Sequence, residues 1–154
     1  MDSYLKHYIN GKWVDSIGGK RHEVISPSTE EPCTEITLGT QADVDAAVSA
    51  ARQAFKTFSQ TSREERIALM NRIIEEYKKR IPDFAKSMAA EMGAPVSFAT
   101  MAQAPAGLGG FLGTLPALEN FAFKEQHGAN TVVYEPIGVV GLITPWNWPL
   151  NQIA

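Results

Sequence analysis

The chain has 154 residues, 44% of them hydrophobic and 20% charged, enough for one domain with a core and unlike a disordered chain. Its formal net charge of −3 speaks against a nucleic-acid or anionic-membrane surface, either of which favours a basic face. A single cysteine, Cys33, excludes an internal disulfide; with neither a signal-peptide pattern in "MDSYLKHYINGKW" nor an apolar run of membrane-spanning length, a cytoplasmic location is expected.

The first predicted element is a hairpin in "YINGKWV". Asn10-Gly11 supplies the two positive-φ positions of a type I′ turn between apolar and aromatic flanks. A second two-stranded unit runs from "HEVIS" to "CTEITL" across the turn-rich "PSTEEP". "GTQADVDAAVSAARQAFKTF" then reads as a helix, with Thr40 and Asp43 as a capping box and Val44, Ala47, Val48, Ala51 and Phe55 as one apolar stripe.

"TSREERIALMNRIIEEYKKRI" predicts a helix opening on Ser62, with Glu65 three residues on and Ile67, Met70, Ile74, Tyr77 and Ile81 on its buried face. A separate helix is expected over "IPDFAKSMAAEMG", with Pro82 at its start and Gly93 at its end. From Pro95 to Glu119 a long helix follows that Pro105 and Pro116 should kink or divide, since each lacks a backbone donor. "ENFAFKEQHGANTVVYEPIG" reads as a hairpin turning near residues 127–130.

"GVVGLIT" is rich in β-branched residues and continuously apolar, which predicts burial on both faces as a strand inside a parallel sheet. Pro149 is placed to open a helix. The order is α/β: small strands, a helical cluster, a hairpin, then one strand of a parallel sheet.

The turn between that strand and that helix, Thr144-Pro145-Trp146-Asn147-Trp148-Pro149, carries the chemistry. Loops of this kind put backbone donors into the crevice where α/β proteins bind ligands. Two prolines stiffen it. The asparagine amide offers two uncharged N–H donors, a group suited to an oxyanion forming on a carbonyl. The tryptophans offer flat apolar faces for a ring or ribose. The same residues also suit a plainer reading, with Trp146 and Trp148 as packing residues and Asn147 as a helix cap.

"EPIGVVGLITPWNWPLNQIA" resembles the segment that opens the cofactor-binding domain of NAD(P)-dependent aldehyde dehydrogenases of bacterial type. "YINGKWV", "ISPSTEEP", "ADVDAAVSAARQAF", "SREERIALMNRI" and "EMGAP" occur in the same order in that superfamily, so the resemblance covers nearly the whole chain. It implies three parts: residues 1–120 as the strand and helix portion of the cofactor-binding domain, 121–136 as an oligomerisation hairpin, and 137–154 as the start of a Rossmann-like sheet.

It also implies roles by position. Asn147 would be the side-chain donor to the oxyanion of the aldehyde's hemithioacetal. Ile143, Thr144, Pro145, Trp146 and Asn147 would line NAD or NADP. Trp148 and Gln152 would face the aldehyde. Ile25 and Glu91 match positions that hold a monovalent cation in some members. The hairpin 121–136 would pair subunits into a homo-oligomer, a dimer or tetramer. The family's cysteine nucleophile, glutamate base and "KPSE"-like segment have no counterpart here, so the chain is expected to be incomplete relative to the family and inactive alone. The alternative is a non-catalytic interaction protein whose hairpin pairs with full-length subunits.

Other features carry less. Cys33 has no cationic neighbour in sequence and reads as an incidental strand residue. "GLGGFLG", residues 107–113, has Leu112 where a dinucleotide loop requires its third glycine, and no strand precedes it; close helix packing explains it better. His7, His22 and His127 lack metal-ligand spacing.

Overall fold

The computed structural model describes residues 3–154, the Ser3 side chain excepted. Five short strands come first: β1 (Ser3–Tyr4), β2 (Lys6–Ile9), β3 (Lys12–Asp15), β4 (Arg21–Ile25) and β5 (Pro32–Thr37). β2 and β3 form the expected hairpin, with Asn10 at φ 52° and Gly11 at φ 74° in the type I′ pattern, and Tyr8 faces Trp13 across it. β4 and β5 pair antiparallel, and β1 adds in parallel to β5, giving the order β1-β5-β4. The parallel addition of β1 is unforeseen, because two residues are too few to carry a periodic signal.

Helix α1 (Gln41–Phe58) begins with the predicted capping box between Thr40 and Asp43. Asp43 does more than cap. It accepts from the Ser16 hydroxyl at 2.5 Å, the Ile17 amide at 2.9 Å and the Thr40 amide at 2.8 Å, which ties the turn after β3 to the helix start. These donors, Ser16 first, hold its carboxyl well below the usual carboxylate range. A depressed folded-state pKa adds stability above the unfolded value, about 3.8, which is lost as pH falls through the folded one. The urea midpoint of Asp43→Asn is therefore expected to lie below that of the parent at pH 6, with the gap narrowing as the pH is taken below 4; an equal gap at every pH would refute this.

The apolar stripe of α1 does not find the burial expected of it. Val44 is 52% exposed and Val48 is also exposed, while Ala51 and Phe55 are half-buried. Helical spacing creates the stripe, but burial needs an opposing surface, and the main neighbour of α1 among the described residues is the small strand β2.

The two helices expected on either side of Pro82 are one. α2 (Arg63–Met92) runs unbroken for 30 residues, from the Ser62–Glu65 capping box to Gly93 in the left-handed conformation at φ 70°. Pro82 removes one backbone donor. However, Ile74, Tyr77, Ala85 and Met88 are buried on both sides of it, and continuous packing of that face outweighs the local break.

A second helical stretch follows: α3 (Val96–Phe98), a π-helical turn (Ala99–Gln103), and α4 (Ala104–Asn120). The expected division near Pro105 takes the form of that π-turn, whose wider backbone relieves the clash of a proline ring with the preceding turn. Pro116 is accommodated inside α4. The hairpin β6 (Lys124–His127) and β7 (Asn130–Val133) turns at Gly128-Ala129, with Gly128 at φ 62° as a type II′ turn requires. At its root, Phe121 meets Phe123 and Tyr134 edge-on, and the Arg63 guanidinium lies 5.6 Å over Phe123 while donating to the carbonyls of Glu119 and Phe121. A cation at the carboxyl end of α4 also suits the helix dipole.

α5 (Pro149–Ile153) opens on Pro149 as expected. The segment before it differs from expectation. Residues 139–144 pair with no strand among the described residues; Leu142 is 70% exposed and Ile143 100%. A parallel strand is made by its neighbours, and the described residues set none beside it. The architecture is thus mixed helices and small strands with open sheets, and no helix of the described residues is long and apolar enough to cross a membrane.

Candidate active site

The loop 144–149 is held over the helical core. That core consists of Ala85 and Met88 from α2 with Ala99 and Ala104 from the π-turn and the start of α4, joined by Ile81, Phe84, Met92 and Leu150. Leu150 belongs to α5, so the helix after the loop is part of the core.

Small residues make this docking possible. A β-carbon on Gly107 would lie 2.5 Å from the Tyr77 hydroxyl and 2.7 Å from the Leu150 carbonyl oxygen, and one on Gly110 would meet Ala154. Gly109 and Gly113 face open space. The glycines at 107 and 110 therefore serve close helix packing, as the sequence suggested. Tyr77 is buried and donates to the Ala104 carbonyl at 2.7 Å; burial pushes its phenol above the usual range, so it remains a donor.

On the loop itself, the Asn147 backbone carbonyl accepts a hydrogen bond from Gln103 Nε2 at 3.0 Å. The Asn147 side chain is exposed, and its amide has no hydrogen-bond partner among the described residues. Trp148 is half-buried, edge-on to Phe98 at 5.7 Å, which is the packing role the sequence left open for it. Asn147 is not the cap of α5: that position is Trp148, with no side-chain cap bond. Trp146 is 77% exposed, and Ile143, Thr144 and Pro145 are exposed beside it. Gln152 is exposed on α5, its backbone N–H donating to the Trp148 carbonyl at 3.1 Å.

A cavity of about 630 Å³ opens beneath Trp146, lined also by Ile25, Phe84, Met88, Glu91 and Leu150. Ile25 and Glu91, far apart in sequence, line it together with the loop residue Trp146. Among the described residues there is no cluster of three His, Cys, Asp or Glu side chains that could hold a metal ion. Cys33 lies elsewhere, its thiol donating to the Val24 carbonyl at 3.3 Å within the β4–β5 pair.

Gln103 is the site residue that sequence reasoning passed over. The signal for it is compositional: a lone amide in "MAQAPAGLGG", otherwise made of small and apolar residues.

Comparison with known proteins gives one result throughout. The sequence profile described as "Aldehyde dehydrogenase family" matches residues 13–154. A 3-succinoylsemialdehyde-pyridine dehydrogenase of a Pseudomonas species is 48% identical over the whole chain, and a putative aldehyde dehydrogenase of Staphylococcus aureus is 45% identical. This chain spans 32% of the length of each. Among solved structures, an aldehyde dehydrogenase from Bartonella henselae superposes on 99% of the chain with a TM-score of 0.95 at 44% identity, the match covering 33% of that protein. Aldehyde dehydrogenase C of Pseudomonas syringae, a cysteine-to-alanine variant in complex with NAD+ and octanal, superposes on 97% with a TM-score of 0.94 at 40% identity, covering 31% of that protein. The agreement extends through nearly the whole path of the backbone, and the chain belongs to the aldehyde dehydrogenase family.

Proposed function

We propose that this chain acts as part of an enzyme that oxidises an aldehyde to a carboxylic acid with NAD or NADP. In this reading Asn147 donates its side-chain amide to the carbonyl oxygen of the aldehyde as negative charge develops there. Ile143, Thr144, Pro145, Trp146 and Asn147 form one wall for the cofactor, and Trp148 and Gln152 face the aldehyde. The nucleophilic cysteine and the glutamate base come from outside residues 1–154, as the family resemblance implies. Ile25 and Glu91, which line one cavity, are the positions for a monovalent cation. The hairpin 121–136, whose strand β7 is exposed throughout, pairs subunits into a dimer or tetramer. Residues 1–120 and 137–154 build the cofactor-binding domain around it.

The observation that carries this reading is the free Asn147 amide on a loop anchored through its own backbone carbonyl and flanked by Pro145 and Pro149. A donor carried on a fixed backbone has less to reorganise when an oxyanion forms, which is the main requirement of such a site. The exposed indole face of Trp146 and the backbone at 143–145, unpaired among the described residues, fit a dinucleotide, which supplies the hydride acceptor when bound. The matches to dehydrogenases, which run along this chain and a third of each relative, favour this over a stand-alone interaction protein.

The test is direct. The whole protein is mixed with a panel of aliphatic and aromatic aldehydes and either NAD or NADP, and the reduced cofactor is followed by absorbance. Turnover with at least one pair is expected, and none from residues 1–154 alone. Silence across the panel from folded whole protein, or turnover by residues 1–154 alone, overturns the reading.

A further inference from the structure

We infer that Gln103 is a positioning residue for the oxyanion donor: it fixes the backbone of Asn147 and so aims that side chain. The inference rests on the assignment of Asn147 above.

The geometry is specific. Gln103 Nε2 donates to the Asn147 carbonyl at 3.0 Å across 44 residues of sequence. The carbonyl can only accept, so the NH2 group must face it, which settles the amide's orientation chemically. Gln103 is 5% exposed, so the donor side of the bond is shielded from solvent. Its own backbone is held by the π-turn Ala99–Gln103, packed against α2 through Ala99 and Ala104. Turns of this type reorient a side chain out of the ordinary helical path and recur at functional sites. The bond therefore connects the rigid helical core to the peptide unit from which the Asn147 side chain projects.

Stability alone does not explain this side chain. With Nε2 facing Asn147, Gln103 Oε1 is buried with no donor among the described residues. An unsatisfied buried acceptor costs at least as much as one neutral hydrogen bond returns. Methionine, of similar length and with no polar atoms to satisfy, would fill the space at no loss of stability. What methionine cannot do is hold the carbonyl of Asn147 in one place. Among the described residues the side chain carries that cost, and positioning a reacting group is the gain that matches it.

The test uses the whole enzyme and a double-mutant cycle on kcat, with Gln103→Met, Asn147→Ala and the pair. Gln103→Met is expected to lower kcat about 10-fold or more while KM for the aldehyde changes less than threefold and the melting temperature stays level or rises. In the Asn147→Ala background, Gln103→Met should lower kcat by less than twofold, because the group it aims is gone. A Gln103→Met effect of the same size in both backgrounds overturns the inference, as does an unchanged kcat in the single variant. If Asn147→Ala itself leaves kcat intact, the oxyanion assignment is what has failed, and the inference falls with it. Should Gln103→Met fold poorly, Gln103→Glu serves: it keeps the shape but turns an acceptor toward the carbonyl at neutral pH. Its kcat relative to the parent should then rise as the pH is lowered and its carboxyl gains a proton to donate; a flat ratio across pH overturns the inference.

Discussion

Asn147→Ala in the whole protein is expected to lower kcat by about 10²–10³-fold, the usual cost of removing an oxyanion donor, which is the role we propose for it. KM for the aldehyde should move only a few-fold. The donor is worth little to a neutral carbonyl and much to the anion that forms from it, so its loss falls on the transition state. Replacement by aspartate should be worse than alanine. It keeps the size of the side chain but replaces the donor with a negative charge beside a developing negative charge. Replacement by glutamine keeps the chemistry and lengthens the reach by one methylene, and it should recover only part of the loss because the amide no longer sits where the loop aims it. Steady-state kinetics on the four proteins would decide the matter. If alanine raised KM and spared kcat, Asn147 would be binding ground-state substrate and not the oxyanion.

The force of that prediction comes from how the loop is held. The anchors are the Gln103 bond to the Asn147 carbonyl, the edge contact of Trp148 with Phe98, and Leu150 in the core. None of the three fixes the Asn147 amide itself, whose donors stay free. A site that must respond to charge appearing on substrate needs that combination of a fixed backbone and an unspent donor.

The parts legible in the sequence were those decided within a few residues. Asn10-Gly11 set the first hairpin because two positive-φ positions in succession suit few other pairs. The Thr40–Asp43 and Ser62–Glu65 boxes set the starts of α1 and α2, and Gly93 the end of α2, since cap geometry is local. Features that depend on distant partners were harder. Pro82 signals a break when read alone, and only the burial of Ile74 and Tyr77 before it and Ala85 and Met88 after it shows why α2 continues. Val44 forms part of a regular helical stripe, yet about half of it, 52%, stays exposed. Continuous apolarity over 139–144 predicts burial on two faces, but spacing cannot supply the strands to bury them, and Leu142 and Ile143 stand exposed. Gln103 escaped because its partner lies 44 residues away and no local pattern points there.

The second large effect is expected on stability, at Gly107. Gly107→Val should destabilise the protein by about 3 kcal/mol or more, at the upper end for overpacking a close-packed contact. The first added carbon already lies 2.5 Å from the Tyr77 hydroxyl and 2.7 Å from the Leu150 carbonyl oxygen. Neither neighbour is a free side-chain end: Tyr77 is buried and committed to Ala104, and the carbonyl belongs to the α5 backbone. Either α5 lifts off α4 or the Tyr77 bond breaks. Gly109 provides the control. It sits in the same helix with open space where its β-carbon would go, so Gly109→Ala should stabilise by about 0.5–1 kcal/mol through helix propensity alone. Gly107→Ala gains the same propensity and should still be a net loss, because one methyl meets both obstacles. Urea midpoints for the three variants test this ordering, and equal stabilisation by alanine at 107 and 109 would mean that α5 does not rest on α4 as described. A lifted α5 should also reach the chemistry. Leu150 follows Asn147 by three residues, so any displacement that the core refuses at 107 is passed to the loop, and the surviving folded fraction of Gly107→Ala should lose kcat as well as stability.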